Sequence, residues 1–426
     1  MKEKKPKDPG KKKTARIVVG SIFGVFALFV LTVVMITVIG NKALIKRAKS
    51  YDPAVIENQL VPEKDENGYW TFTTDRDLKV MQLTDIHIGG GWLSLKQDSQ
   101  ALNAVATMIQ AEKPDLVVVT GDMAFPVFFK AGTFNNLLSA KEFAALMERL
   151  GVYWTVAFGN HDSEIYSYYS REKVADFYGN PEFKYCLFQK GPDDVDGYGN
   201  QIINVKNSKG LLTQSIYIFD SHSYTDGDYF GIMWKYDNIH DNQIEWYRDN
   251  VNLMNKQNNA RLKELGMPED SDVKSIAFLH IPLPELRTAW YEYMANGFKD
   301  TEDVKYVYGK AGEGKKIIYC GQRQDNLFKT IQELGSTDGI FYGHDHDNNF
   351  SIYYKGIRMT YSYSVDYLAY SGINKRGSQR GCTIITLSPD GTFDCKAENY
   401  YQDKYQSQFG KEEVTMQEVT EASTHL

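Results

Sequence analysis

Between residues 78 and 158 short apolar runs alternate with segments in which apolar residues return every three or four positions. Residues 78–84 read as a strand. In 95–111, Leu102, Val105, Ala106 and Ile109 share one helical face, and Pro114 blocks continuation. Residues 115–120 (DLVVVT) form a strand of the type buried on both faces. A second amphipathic helix over 138–150 and a strand over 153–158 repeat the unit. Further strands are predicted at 214–219, 274–279 and 339–342, then a β-rich end at 351–354, 358–363, 382–387 and 392–396. Alternation of these lengths predicts an α/β fold.

One segment follows neither period. Residues 17–40 (IVVGSIFGVFALFVLTVVMITVIG) carry no charge and no polar stripe. As a helix the run would be about 36 Å long, enough to cross a hydrocarbon core of about 30 Å. A cleavable leader would have a shorter apolar core and a small-residue cleavage site, and Asn41-Lys42-Ala43-Leu44 supplies none. The chain is therefore expected to divide into a basic head (1–16), a transmembrane helix (17–40), a polar stalk (41–77), a body (78–398) and a polar, loosely attached tail (399–426).

Charge sharpens that division. The 426 residues hold 48 Lys+Arg and 55 Asp+Glu, a net −7. Residues 1–50 contribute twelve Lys/Arg against Glu3 and Asp8, so the rest of the chain is strongly acidic. Eight of the basic residues precede the apolar run and four follow it. The positive-inside rule then keeps the amino terminus in the cytoplasm and places the body outside. An acidic body is poorly suited to nucleic acid, which needs a positive surface. Four cysteines without close spacing exclude both a disulfide scaffold and a zinc ribbon.

The chemistry lies in five short segments, each just after a predicted strand. They are Asp85-Ile86-His87, Gly121-Asp122, Gly159-Asn160-His161-Asp162, the lone His280, and Gly343-His344-Asp345-His346. In layered α/β folds the carboxyl ends of strands open onto the binding crevice, so residues 261 positions apart (346 − 85) can meet there. Imidazoles with hard oxygen donors and one carboxylate able to bridge suit two divalent cations. Such a pair can clamp the attacking and leaving oxygens of an in-line displacement at phosphorus.

The order D-x-H, G-D, G-N-H-D, His and G-H-x-H resembles the calcineurin-like metallophosphoesterase superfamily, across roughly residues 78–398. The stretch from Leu279 to Glu285 and the Asn348/Phe350 pair resemble a branch related to purple acid phosphatases. The resemblance implies a four-layer α/β/β/α sandwich of two mixed sheets with a dimetal site on one edge. It implies one metal held by Asp85, His87, Asp122 and His346 and another by Asp122, Asn160, His280 and His344. It also implies that His161 contacts the phosphoryl group and assists the leaving oxygen. Asp162 is a candidate to orient His161, or else a turn cap. Purple acid phosphatases carry an iron-binding Tyr three residues after the G-D aspartate. Here that position is Phe125, so the resemblance implies two divalent ions from manganese, iron(II) or zinc and no tyrosinate colour.

The expected activity is hydrolysis of a phosphate ester by a hydroxide bridging the metals. A phosphodiesterase or nuclease, or a hydrolase of lipid-linked or cell-envelope phosphates, would use the same centre. Asp220-Ser221-His222 follows another strand, which makes His222 a candidate substrate contact; His240 and His425 are assigned no role.

Overall fold

The computed structural model describes residues 9–225, 227–228, 230–269, 272–314, 317–370, 372–373 and 380–414. A long helix, α1 (Pro9–Ala48), leads to two short strands, β1 (Glu63–Lys64) and β2 (Trp70–Thr73). Next come β3 (Leu78–Leu83), α2 (Leu95–Glu112), β4 (Leu116–Thr120), α3 (Phe128–Ala131), α4 (Asn136–Leu150) and β5 (Tyr153–Ala157). A 3-10 turn (His161–Ser163) and α5 (Arg171–Tyr178) precede β6 (Gln201–Lys206), β7 (Leu212–Ile218), α6 (Asp241–Glu264), β8 (Lys274–Phe278) and α7 (Pro284–Ala295). The remainder is β9 (Val304–Tyr308), α8 (Leu327–Leu334), β10 (Thr337–Tyr342), β11 (Ser351–Tyr354), β12 (Ile357–Tyr361), β13 (Gly381–Leu387) and β14 (Phe393–Asn399).

The strands make two mixed sheets, β14-β13-β3-β4-β5 and β1-β2-β6-β7-β8-β10-β12-β11-β9. Period-two alternation explains how they stack. Val80, Leu116 and Val118 of the smaller sheet meet Ile216, Ile276, Phe278 and Phe341 of the larger in a core between the sheets. The intervening residues Met81, Val117 and Val119 face outward and pack on Val105, Ile109, Phe143 and Met147 of α2 and α4. On the far side Tyr217, Ala277 and Ile340 pack against Tyr247, Trp290 and Phe328 of α6, α7 and α8. Central strands thus bury both faces, which is why they read as unbroken apolar runs. The result is the expected four-layer α/β/β/α sandwich.

Helix α1 contains an uncharged stretch long and apolar enough to cross a membrane. It does not stop at Gly40. Its last turns dock on the body, burying Asn41, Leu44 and Ala48. The expected stalk over 41–77 is corrected accordingly: Tyr51 and Phe72 are fully buried, and β2 pairs in parallel with β6, Trp70 opposite Ile203. These strands of two and four residues sit at a sheet edge and are too short to show a period. The expected loose tail needs the same correction over 399–414. Tyr400 and Tyr405 are fully buried, and the Tyr405 hydroxyl donates to Glu112 Oε1 at 2.7 Å. The rest of that predicted tail, and residues 1–8 of the head, lie outside the described residues.

Candidate metal centre

Strands β3, β4 and β5 run parallel to one another, and so do β8 and β10. All five therefore end on one edge of the sandwich. The two sheets are tied there by Gln82 at the end of β3, whose Nε2 donates to Thr120 Oγ1 (2.9 Å) and to the carbonyl of Tyr342 (3.0 Å). Beyond these ends the backbone turns sharply. Asp85, His87, Asp122 and His344 have φ of 49, 52, 49 and 82°, in the left-handed region that non-glycine residues seldom adopt. Each costs on the order of 1–3 kcal/mol, a strain that clusters at functional sites.

Those turns aim the side chains inward. One ligand atom from each of Asp85, His87, Asp122 and His346 lies within 4.8 Å of the others, and all four residues are buried. His87 Nε2 is 3.5 Å from Asp122 Oδ2, and His346 Nε2 is 3.5 Å from Asp85 Oδ1. On the other side of Asp122, His280 Nε2 approaches Asp122 Oδ2 at 3.2 Å, Asn160 Oδ1 at 3.2 Å and His344 Nδ1 at 3.3 Å. Asp122 stands between the two groups. All seven expected ligands are brought together.

Two of the donor atoms are positioned yet unsatisfied. Asp122 Oδ2 and His87 Nε2 are buried without a hydrogen-bond partner. Such atoms are costly unless something fills the space between them, and a nitrogen–oxygen set of this kind fits manganese, iron(II) or zinc. His280 Nδ1 lies 2.8 Å from the carbonyl of Thr120 and can donate only there, which leaves the Nε2 lone pair directed at the cluster. The carboxylates draw protons onto the rings, protons that a bound cation would replace. Burial disfavours charge on His87, but Asp366 and Asp122 outweigh it and push its pKa up to about 10. Burial likewise opposes charge on His280, and the Asp122 carboxylate lifts it to about 9. Asp122 is held well below the usual carboxylate range, the His280 charge overcoming burial.

Residues 78–348 match the profile of calcineurin-like phosphoesterases. The chain belongs to that family. Two curated proteins of Arabidopsis thaliana are similar to this phosphoesterase-family chain. Probable inactive purple acid phosphatase 14 is 28% identical over 323 residues, covering 71% of this chain and 74% of that protein. Probable inactive purple acid phosphatase 28 is 25% identical over 339 residues, covering 74% and 77%. Among solved structures, a dimetal phosphatase from Danio rerio aligns over 77% of this chain and 98% of its own, at 11% identity and a TM-score of 0.48.

Around the seven candidate ligands the family member carries groups that the motifs do not display. Asp366 lies between two of the imidazoles, 3.3 Å from His87 Nδ1 and 3.4 Å from His346 Nδ1. Its carboxylate also accepts from the backbone N–H groups of Leu368, Ala369 and Tyr370. Burial would raise its pKa, but the two histidines hold it well below the usual range. Glu164 Oε1 is 2.6 Å from His161 Nδ1 and also accepts from the Tyr224 hydroxyl at 3.2 Å. The signal for Glu164 was its i+3 spacing from His161; Asp366 lies 20 positions beyond the last motif and offered none.

Two expectations are corrected. Asp162 does not orient His161. Its Oδ2 accepts from the N–H groups of Asp122 (3.0 Å) and Gly159 (2.8 Å), and its Oδ1 from Ala124 (2.9 Å), so it caps the turns that carry the ligands. His222 is no wall of the cleft: its Nε2 meets Gln243 Oε1 at 2.8 Å, and its ring stacks on His240 at 4.0 Å. Phe125 sets its ring edge-on to His87 and His161, at 4.9 and 4.7 Å. The cleft above the ligands has a volume of about 250 Å³, with His161 in its floor and Tyr166, Tyr224, Trp234, Tyr236 and Tyr370 among its walls.

Proposed function

We propose that this chain is a membrane-anchored, metal-dependent phosphoesterase. Asp85, His87, Asp122 and His346 would hold one cation, and Asp122, Asn160, His280 and His344 the other, with Asp122 shared. The observation that carries this reading is the convergence of seven candidate ligands from five strand ends, four of them within reach of one ion, with Asp122 Oδ2 and His87 Nε2 buried and lacking a hydrogen-bond partner. Bound there, a cation pair supplies a water of lowered pKa and a clamp for the oxygens of a phosphoryl group.

The remaining chemistry is the chain's own. His161 is partly exposed in the cleft floor, and Glu164 holds its Nδ1, so Nε2 is the nitrogen left to donate a proton to the leaving oxygen. Burial lowers the His161 pKa, but the Asp122 charge and the Glu164 hydrogen bond outweigh it and keep the ring protonated to higher pH. Arg171 secures the loop beneath: its guanidinium donates to the Gly159 carbonyl at 2.7 Å, to Ser163 Oγ at 3.0 Å, and to Asp220. As the anchor, α1 would keep the amino terminus cytoplasmic and the catalytic body outside, following its flanking charge.

Full-length protein stripped of metal and then given manganese, iron(II) or zinc should hydrolyse aryl phosphate monoesters or diesters. Asp122→Ala should lose both metal binding and turnover, and His161→Ala should keep metal but lose most turnover. Since the similar plant proteins are named inactive, that assay decides the matter: no turnover with any metal, or full turnover in Asp122→Ala, overturns the reading.

A further inference from the structure

Three features of the exterior converge on the edge that carries the ligands. The first is the course of α1, which runs without a break from Pro9 to Ala48. Its docked end fixes its direction: Asn41 Nδ2 donates to the carbonyl of Gly90 at 2.8 Å. Gly90 lies three residues beyond His87, so the anchor leaves the body beside the site. Farther toward the amino terminus, Phe29 meets Trp92 edge to face at 6.4 Å. Phe29 is eleven residues before Gly40, roughly 16 Å along the axis. Any placement in which 17–40 cross a core of about 30 Å therefore brings Trp92 to the bilayer.

The second feature is a strip of apolar surface that continues from that contact to the cleft. Trp92 packs beside Gly132, where a Cβ would come within 2.5 Å of the indole. Phe128 stacks on Phe134 at 5.1 Å, and Phe134 meets Tyr166, a wall of the cleft, at 5.8 Å. Leu93, Phe128 and Phe129 on this strip are exposed, Phe129 to 88%. The third feature faces it across the mouth. Phe230, Ile232, Met233 and Trp234 present apolar side chains to the outside, Ile232 to 76% and Trp234 to 63%, while Trp234 packs inward on Tyr319. Two apolar lips flanking one polar cleft are a surface made for the lipid interface, where aromatic rings sit at headgroup level.

We infer that the mouth of the metal cleft lies on the bilayer that α1 crosses, and that the substrate is a phosphate ester whose alcohol is a membrane-resident lipid. This rests on the phosphoesterase reading above and adds its substrate class. Hydrolysis breaks the phosphorus–oxygen ester bond. The oxygen of water goes to phosphorus, and a proton goes to the lipid alkoxide, which stays in the bilayer as the alcohol. Inorganic phosphate, or the phosphate of a headgroup fragment, leaves to water.

Full-length protein in vesicles that contain phosphatidic acid and phosphatidylcholine brominated on its acyl chains tests the geometry and the substrate separately. Co-flotation with the vesicles reads the anchor alone. Trp92 reports the contact beside α1 and Trp234 the lip across the mouth, so tryptophan quenching reads that lip without any catalysis: Trp234→Phe made in a Trp92→Phe background should lower the quenched fraction roughly twofold. For substrate, Phe129→Ser/Ile232→Ser/Met233→Ser should cut phosphate release from phosphatidic acid about tenfold while a soluble aryl phosphate is turned over within about twofold of wild type. Equal quenching in the Trp variants, an unchanged ratio of lipid to soluble turnover, or lips covered by a second copy in cross-linking overturns the inference. Absence of turnover on both substrates with quenching intact instead removes the phosphoesterase reading and leaves the membrane contact standing.

Discussion

Asp366 holds two imidazoles from opposite ends of the chain at once, 3.3 Å from His87 and 3.4 Å from His346, and takes three backbone N–H groups on its remaining lone pairs. A carboxylate on the far nitrogen of a ligand histidine fixes the ring's orientation and raises its basicity. Asp366→Asn keeps the shape and removes the charge. It should weaken metal binding about 10- to 100-fold, read by chelator competition, and also lower the melting of the metal-free protein, since an amide cannot accept on both sides or balance the His87 charge. Glu164 acts on the proton donor in a parallel way. Glu164→Gln removes the hydrogen-bond charge that helps hold the His161 pKa up. His161 donates while protonated, so the alkaline limb of the rate profile should move to lower pH and turnover should fall about 10- to 100-fold, metal content being unchanged. An unmoved limb would show that Glu164 is only structural.

Strand ends, more than strands, decide whether those side chains meet. Gly159 sits where β5 gives way to the turn, and a Cβ there would lie 2.4 Å from the backbone N of Asp122 and 2.2 Å from its Oδ1. Backbone cannot rotate aside as a flexible side chain can. Gly159→Ala should therefore cost about 1–3 kcal/mol in a urea melt and most of the stabilisation that added metal gives. This level was largely legible in the sequence: the central strands bury both faces, so β3, β4, β5, β8 and β10 announce themselves as apolar runs with motifs behind them. Edge and supporting elements were not. β1 and β2 are too short for a period, and Tyr400 and Tyr405 sit in a polar stretch whose composition hides their burial. Asp366 and Glu164 act across space on residues whose own motifs were visible, so their role exists only once the chain is folded.

For the whole molecule the consequence is that helix α1, body and site form one unit. The final turns of α1 pack on α2 and α4, Tyr51 sits in the core beneath them, and β2 adds a strand to the larger sheet, so no flexible stalk separates the apolar helix from the body. A soluble form beginning at Asn41 keeps the Asn41–Gly90 bond, Leu44, Ala48, Tyr51 and Phe72. It should melt cooperatively. A form beginning at Leu78, where the motifs start, leaves voids at Tyr51 and Phe72, each costing roughly 3–5 kcal/mol, and strips β6 of its parallel neighbour. Since domains are stable by only about 5–15 kcal/mol, the shorter form should be insoluble or unfolded at growth temperature. Coincident melts for the two forms would mean that residues 41–77 merely lie against the body. A lower melt for the shorter one would mean that the segment is part of the body's own core.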